Sequence, residues 1–217
     1  MLNVHEVFRS ISGEVGEIPQ GSIAWFIRFQ GCNLRCSWCD TERAQEINIL
    51  GRERGLTTAD IVANSIPENS NVILTGGEPY CQPVDELRDL IKLLRAKNCR
   101  VPIETNGSHL PVLDADHVMD YKTPSSGMTA FMMDIKVFES LPPGSWVKMV
   151  VKTLADIKAA TRVASHLVRE GAQARIAFSA ESGEMISEVI DFINGAAPEL
   201  LPHIVFNVQL HKKLDLA

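Results

Sequence analysis

Short apolar runs alternate with segments of helical period along most of this chain, and that alternation leaves few folds open. Residues 4–11 alternate imperfectly and read as a strand. Ile23–Phe29 is apolar except at Arg28, as expected of a strand covered on both faces. Further strands are predicted at 71–74, 101–104, 117–121, 146–151, 175–178 and 204–210. Thr57-Thr58-Ala59-Asp60 resembles a capping box with Asp in place of Glu, opening a helix that runs to about Ser65 before Pro67. A second helix, 83–97, carries Val84, Leu87, Ile91 and Leu94 on one face. A third, 154–170, turns Ile157, Thr161, Ala164, Leu167 and Val168 inward and stops at Gly171. A fourth, 184–194, turns Ile186, Val189, Ile190 and Ile193 inward. Gly13, Gly16, Pro19 and Gly21 mark a turn-rich connection, and 45–55 reads as a polar surface loop. Strands alternating with helices join by right-handed crossovers into a parallel sheet. The better-defined segments amount to six or seven strands and about four helices, too few for a closed eight-fold barrel. The expectation is an α/β fold: a shortened, partly open barrel of mostly parallel strands, in a single domain over residues 1–217.

Directly after the apolar strand comes Gly31-Cys32-Asn33-Leu34-Arg35-Cys36-Ser37-Trp38-Cys39-Asp40-Thr41. Clustered thiolates oxidise and scavenge metals, so three cysteines at C-x3-C-x2-C spacing suggest a shared metal centre. An iron–sulfur cubane normally takes four Cys; with only Cys32, Cys36 and Cys39, one iron stays open to bind a small molecule. Zinc is the competing metal, but it favours four ligands in paired groups. No second pair follows, and His5 and His109 are distant. Chance grouping of buried cysteines is the third reading. Cys81 and Cys99 read as small buried residues, and His117, His166 and His203 as ordinary polar or core positions. The five cysteines fit a reducing cytosol, not a disulfide framework, and no leader or bilayer-spanning run is expected. A net charge of −6 argues against a general nucleic-acid or membrane-surface binder.

The unusual residues fall where strands end: 32–39, 76–78, 104–107, 122–126 and 179–181. In parallel α/β proteins ligands bind at the carboxyl ends of strands, so these segments should converge on one mouth. Arg28 either snorkels from its strand end or presents a guanidinium to an anion beside the cysteine loop. Thr75-Gly76-Gly77-Glu78-Pro79 is either a tight turn or a loop whose glycines admit a ligand while Glu78 accepts from an amine. Glu104-Thr105-Asn106-Gly107 carries the same ambiguity. Lys122 is a better site residue than Lys136, given its neighbours.

The cysteine spacing, with Trp38 before the last Cys, resembles the signature of radical S-adenosylmethionine (SAM) enzymes. That resemblance implies a 4Fe–4S cluster whose open iron is chelated by the amino and carboxylate groups of SAM. It also implies reductive cleavage of SAM to a 5′-deoxyadenosyl radical that abstracts hydrogen from substrate. Thr75–Pro79 in this context is similar to the superfamily's GGE motif, which contacts the methionine amino group. The likeness narrows further. Phe8-Arg9-Ser10-Ile11-Ser12-Gly13-Glu14, Phe26-Ile27-Arg28, the cysteine loop, Thr123-Pro124-Ser125-Ser126-Gly127, Lys148-Met149-Val150-Val151 and Val208-Gln209-Leu210-His211-Lys212 resemble, in order, the 7-carboxy-7-deazaguanine synthase family. The resemblance implies a carbon–nitrogen lyase that converts 6-carboxy-5,6,7,8-tetrahydropterin to 7-carboxy-7-deazaguanine and releases ammonia, toward queuosine or archaeosine. It implies a cytoplasmic, Mg2+-dependent homodimer served by a reductase or flavodoxin-type electron donor. Carried across by motif, Cys32, Cys36 and Cys39 hold the cluster. Trp38, Gly76, Gly77, Glu78, Asn106, Lys122 and Ser125 serve the cofactor side. Ile11, Ser12, Gly13, Glu14, Arg28 and Thr75 contact the pterin or its carboxylate, and Thr41 binds Mg2+. The family commonly reads Gln-Gly-Glu-Gly where this chain has Ser12-Gly13-Glu14-Val15; Ser12 is too short for the hydrogen bonds of Gln, and Val15 cannot take Gly-only dihedrals. Two other readings are an activating enzyme that installs a glycyl radical in a partner protein, and an iron–sulfur electron-transfer or zinc-binding module.

Overall fold

The computed structural model describes residues 1–46 and 55–214; most of the predicted 45–55 loop therefore lies outside the described residues. The strands are β1 (Leu2–Ile11), β2 (Ile23–Phe29), β3 (Leu56–Thr57), β4 (Val72–Gly76), β5 (Ile103–Thr105), β6 (His117–Asp120), β7 (Trp146–Val151), β8 (Arg175–Ala180) and β9 (Ile204–Asn207). All nine lie in one sheet, in the order β3-β1-β2-β4-β5-β6-β7-β8-β9. From β2 to β9 every neighbouring pair is parallel. β1 is antiparallel to β2, and β3 to β1. Among the described residues the sheet ends in two free edges, so it is open as expected, although it holds nine strands and not the six or seven counted in the sequence. The antiparallel start follows from the link between β1 and β2, residues 12–22, which contains no crossover helix.

The helices are α1 (Ala59–Ser65), α2 (Val84–Ala96), α3 (Ile135–Glu139), α4 (Leu154–Arg169), α5 (Ile186–Asn194) and α6 (Leu210–Leu214). Sequence periodicity finds α1, α2, α4 and α5 but misses α3 and α6, each only five residues and too short to show a period. The last strand stops at Asn207, and Leu210 starts α6 instead of ending β9. At α1 the cap is Thr58, whose hydroxyl accepts from Ile61 N at 3.4 Å; Thr57 belongs to β3, and with Ile61 at the third helical position the expected Thr57–Asp60 box does not form. A true capping box opens α4, between Thr153 and Asp156. On α5 Ile190 is exposed, and Phe192 instead packs on Phe178 with ring centroids 5.0 Å apart.

Strand pleating divides the sheet into two unlike faces. Ile27, Phe29, Val72, Leu74 and Ile103 point to one side, where α1 and α2 cover them with Val62, Leu87, Leu90 and Leu94. Met119, Val147, Met149, Ile176 and Phe178 continue that side under α4 and α5. The other face carries smaller apolar clusters: Ala24 and Ile73 with Ile18, and Val118, Trp146 and Ala177 with Val15. The 12–22 link supplies Val15 and Ile18, so it crosses this second face and closes part of it. Among the described residues, no helix is long and apolar enough to cross a membrane.

On the helix-covered side His117 is a core residue, 2% exposed, with Tyr80 Oη 2.7 Å from its Nε2. Burial pushes its pKa down to about 4. The unfolded chain, with histidine near 6.5, then binds more protons between these values, so stability should fall as pH falls from about 6.5 to about 4. The full loss is on the order of 3 kcal/mol. Denaturant unfolding of the protein and of His117→Gln across this range should show the slope reduced in the variant. Parallel slopes would mean that His117 is not the group responsible.

Candidate active site

The pleat that sends Ile27 and Phe29 to the helices sends Arg28 the other way. Thr75, Glu104, Asp120 and Lys148 share that opposite face, with Arg28 beside Thr75 and Asp120 beside Lys148 in register. These side chains and the loops at the carboxyl ends of the strands line a cavity of about 480 Å3. Cys32, Cys36, Trp38 and Cys39 line it, as do Gly76, Gly77, Asn106 and Lys122. Ile11, Gly13, Glu14, Arg28, Thr41 and Thr75 complete the sequence-predicted residues found there. Four of the five strand-end segments thus contribute to one mouth; the fifth, 179–181, does not, and Ala180 and Glu181 line a separate cavity.

The cysteine loop is held by backbone contacts that leave no room for side chains. Gly77 N donates to Phe29 O at 2.9 Å and Glu78 N to Gly31 O at 2.8 Å. A Cβ on Gly77 would lie 2.1 Å from Gly31 O, so only glycine fits. On the far side Ser37 N and Oγ donate to the carbonyls of Ser126 and Ser125, at 3.2 and 2.8 Å. Arg35 Nη1 donates to the carbonyls of Cys32 and Leu34, at 2.7 and 2.8 Å. Leu34 N and Asn106 Nδ2 aim at Cys32 Sγ, at 3.4 and 3.6 Å, and Thr41 N at Cys39 Sγ, at 3.4 Å. Such N–H groups favour thiolate, yet burial still pushes the Cys32 and Cys36 thiols up, so their ionisation calls for bound metal cations. All three cysteines are free. Among the described residues no three His, Cys, Asp or Glu side chains converge closely enough for a single ion. A cubane is held at its corners, so its ligands stand further apart than those of one zinc. Three soft thiols in one loop, with no fourth cysteine beside them in sequence, fit a cluster with one iron left open.

Three predicted residues sit elsewhere. Glu78 does not line the cavity: it is fully buried and accepts from Tyr80 N at 3.0 Å, Thr105 Oγ1 at 2.8 Å and Asn106 N at 2.7 Å. It ties the glycine loop to Asn106, and through it to Cys32, while burial pushes its carboxyl above the usual range. Ser12 faces inward, its hydroxyl 3.4 Å from the carbonyls of Glu14 and Ile18. Ser125 bonds Asp156 at the start of α4, through its hydroxyl and, at 2.9 Å, its N–H. Outside the site, Cys99 is buried as expected but Cys81 is exposed.

The structure adds Glu104, Asp120, Lys148, Gln209 and His211 to the cavity wall. Lys148 pairs closely with Glu14 and lies 3.3 Å from Asp120; Lys122 lies 2.5 Å from Asp120. Burial alone would lower the lysine pKa values, but Asp120, with Glu14 for Lys148, holds both above the usual range. Thr75 Oγ1 donates to Glu104 at 2.8 Å, and Gln209 Nε2 to Glu14 at 2.9 Å. Burial and the nearby Glu14 charge push the Glu104 carboxyl up. His211 reaches Asp40 at 3.3 Å across the mouth. A sequence signal for Lys148 existed: like Arg28, it is a charge inside an apolar strand. Arg28 donates its Nε to Glu6 at 2.7 Å and lies 5.2 Å from the Phe8 centroid. Its Nη1 is 3.4 Å from Thr41 Oγ1.

The sequence matches the radical SAM superfamily over residues 26–193. It is 35% identical to a 7-carboxy-7-deazaguanine synthase of Clostridium acetobutylicum, over 96% of this chain and 94% of the relative. It is 39% identical to one from Methanopyrus kandleri over 58% of this chain and 59% of the relative. The fold is similar to the crystal structure of QueE from Escherichia coli, with a TM-score of 0.69 and 21% identity, covering 96% of this chain and 93% of the other.

The Gly77–Gly31 contact can be tested directly. Gly77→Ala should displace the cysteine loop, lower stability by about 1–3 kcal/mol and reduce iron bound per chain after reconstitution. Gly127→Ala, where nothing lies within 4 Å of the added Cβ, should keep its iron despite a left-handed φ of 74°. Full iron in Gly77→Ala would refute the packing argument.

Proposed function

The chain belongs to the 7-carboxy-7-deazaguanine synthase family of the radical SAM superfamily, and we propose that it converts 6-carboxy-5,6,7,8-tetrahydropterin to 7-carboxy-7-deazaguanine with release of ammonia. The observation that carries this reading is the pairing, in one cavity, of three free cysteines with a wall of fixed charges led by Arg28 and Lys148. A cavity of about 480 Å3 suits a small heterocycle together with part of a cofactor. The activating-enzyme and electron-transfer readings have no support in a relative that matches 96% of the chain.

The superfamily's cofactors are a 4Fe–4S cluster and SAM, which together supply one-electron cleavage and hydrogen abstraction when bound. Cys32, Cys36 and Cys39 are the three thiolates available to the cluster. Gly76 and Gly77 bring backbone without side chains to the SAM side, where Trp38, Asn106 and Lys122 also stand. On the substrate side Arg28 has its Nε fixed by Glu6, so its Nη groups are held in one plane for a carboxylate. Glu14, fixed by Lys148 and Gln209, offers a carboxylate to ring N–H groups. Glu104, pushed toward its neutral form and bonded by Thr75, is placed to share a proton with the ring.

Mg2+ is part of the proposal. Asp40 Oδ1 and Thr41 Oγ1, 2.8 Å apart, are two hard oxygens suited to an ion that takes few protein ligands and keeps its waters. The Arg28 guanidinium, 3.4 Å from the same hydroxyl, repels a bare cation, so the site should bind Mg2+ well only together with an anionic substrate. An external reductase or flavodoxin-type donor supplying the electron, and a homodimeric assembly, complete the reading on the strength of the family resemblance.

Reduced, reconstituted protein given the carboxytetrahydropterin, SAM and Mg2+ should form 7-carboxy-7-deazaguanine, detected by mass spectrometry, with ammonia in equal amount. Arg28→Lys, which keeps the charge but loses the planar fork, should raise the pterin KM about tenfold. SAM cleavage with no deazaguanine formed would reject the substrate assignment.

A further inference from the structure

Asp120 stands where the two halves of the cavity meet. It ends β6, directly opposite Lys148 on β7, and the shared pleat sends both side chains to the cavity face. Its Oδ2 takes Lys122 at 2.5 Å and its Oδ1 lies 3.3 Å from Lys148 Nζ. The second contact is an ion pair without a well-directed hydrogen bond, so Oδ1 is a buried acceptor with no hydrogen-bond partner. Lys148 makes its closer contact with Glu14. Lys122 and Cys36 both line the cavity. A run of alternating charges therefore crosses the cavity, from Lys122 through Asp120 and Lys148 to Glu14. Two carboxylates face two ammonium groups along it, and Asp120 is the member common to both halves.

Charge balance gives this arrangement a consequence. An anionic ligand group arriving at Lys122 competes with Asp120 for the ammonium, and the carboxylate can then lean on Lys148 through its unsatisfied oxygen. Without Lys148, Asp120 has only Lys122 to pair with and holds it away from the ligand. In this low-dielectric setting neither exchange is screened by water. We propose that Asp120 is a positioning residue that couples the SAM side of the cavity to the substrate side by sharing Lys122 and Lys148. This rests on the assignment of Lys122 to the SAM side.

The test is equilibrium binding of SAM to the reconstituted holoenzyme with its cluster oxidised, so that no turnover occurs. Lys148→Gln should weaken SAM binding about fivefold or more in the otherwise native chain. In the Asp120→Asn background the same substitution should change it less than about twofold. Asp120→Glu, which keeps the charge, should restore part of the response. Lys148→Arg, which keeps the pairing, should hold SAM affinity near native and gives a reading that needs no change at Asp120. Iron content and thermal midpoint of each variant distinguish altered binding from altered folding. Unchanged SAM affinity in Lys148→Gln, or an equal loss in both backgrounds, overturns the coupling. If Lys122→Met leaves SAM affinity unchanged, the cofactor-side assignment fails and takes this proposal with it. A loss in Lys122→Met with no response to Lys148→Gln rejects the coupling alone.

Discussion

A parallel strand covered by helices on one face has only its other face and its carboxyl end left for chemistry. That constraint governs this molecule. Ile27 and Phe29, Leu74, Ile103, Met119, Val147 and Met149 are committed to the helix side. Their neighbours in sequence, Arg28, Thr75, Glu104, Asp120 and Lys148, must then share the opposite side, and the parallel register sets them next to one another. Neither α1, α2, α4 nor α5 supplies a residue to the cavity wall. Their packing fixes the pleat, and the pleat fixes the site.

The cluster loop depends on a second constraint, which is close backbone approach. Gly77 lies against Gly31, and Glu78 spends its carboxylate on three donors that include the Asn106 amide. Asn106 then reaches Cys32 Sγ. The triplet Gly76-Gly77-Glu78 therefore works partly as a joint between β4, β5 and the cysteine loop. A carboxylate left without those donors, at 0% exposure, would carry a large desolvation cost.

Much of this was legible in the sequence, for identifiable reasons. Burial on both faces makes parallel strands read as apolar runs, so Ile23–Phe29 and Trp146–Val151 are found to the residue. The cysteine spacing and the family resemblance located the mouth. What stayed hidden depends on pairing between strands. Asp120 is unremarkable in sequence and becomes a site residue only because registry sets it beside Lys148, while Glu104, flagged by its strand-end position, has its neighbours set by the same registry. The motifs suggest ligand contacts for Glu78 and Ser125, yet in the fold protein donors hold Glu78 and Asp156 holds Ser125, which no linear motif reveals. β1 is readable as a strand but its antiparallel pairing is not, and the two-residue β3 and five-residue α3 and α6 are too short to show a period. Gln209 and His211 enter the cavity because the chain turns into α6 after β9, where the sequence suggested a longer strand.

The central claim is that Cys32, Cys36 and Cys39 hold a cluster with one iron open to SAM inside this cavity. Electron paramagnetic resonance of the reduced, reconstituted protein, recorded before and after adding SAM, addresses it most directly. The account predicts a signal whose g values shift when SAM is added, because the open iron gains new ligands. A signal indifferent to SAM, or a cluster already held by four thiolates, would contradict it.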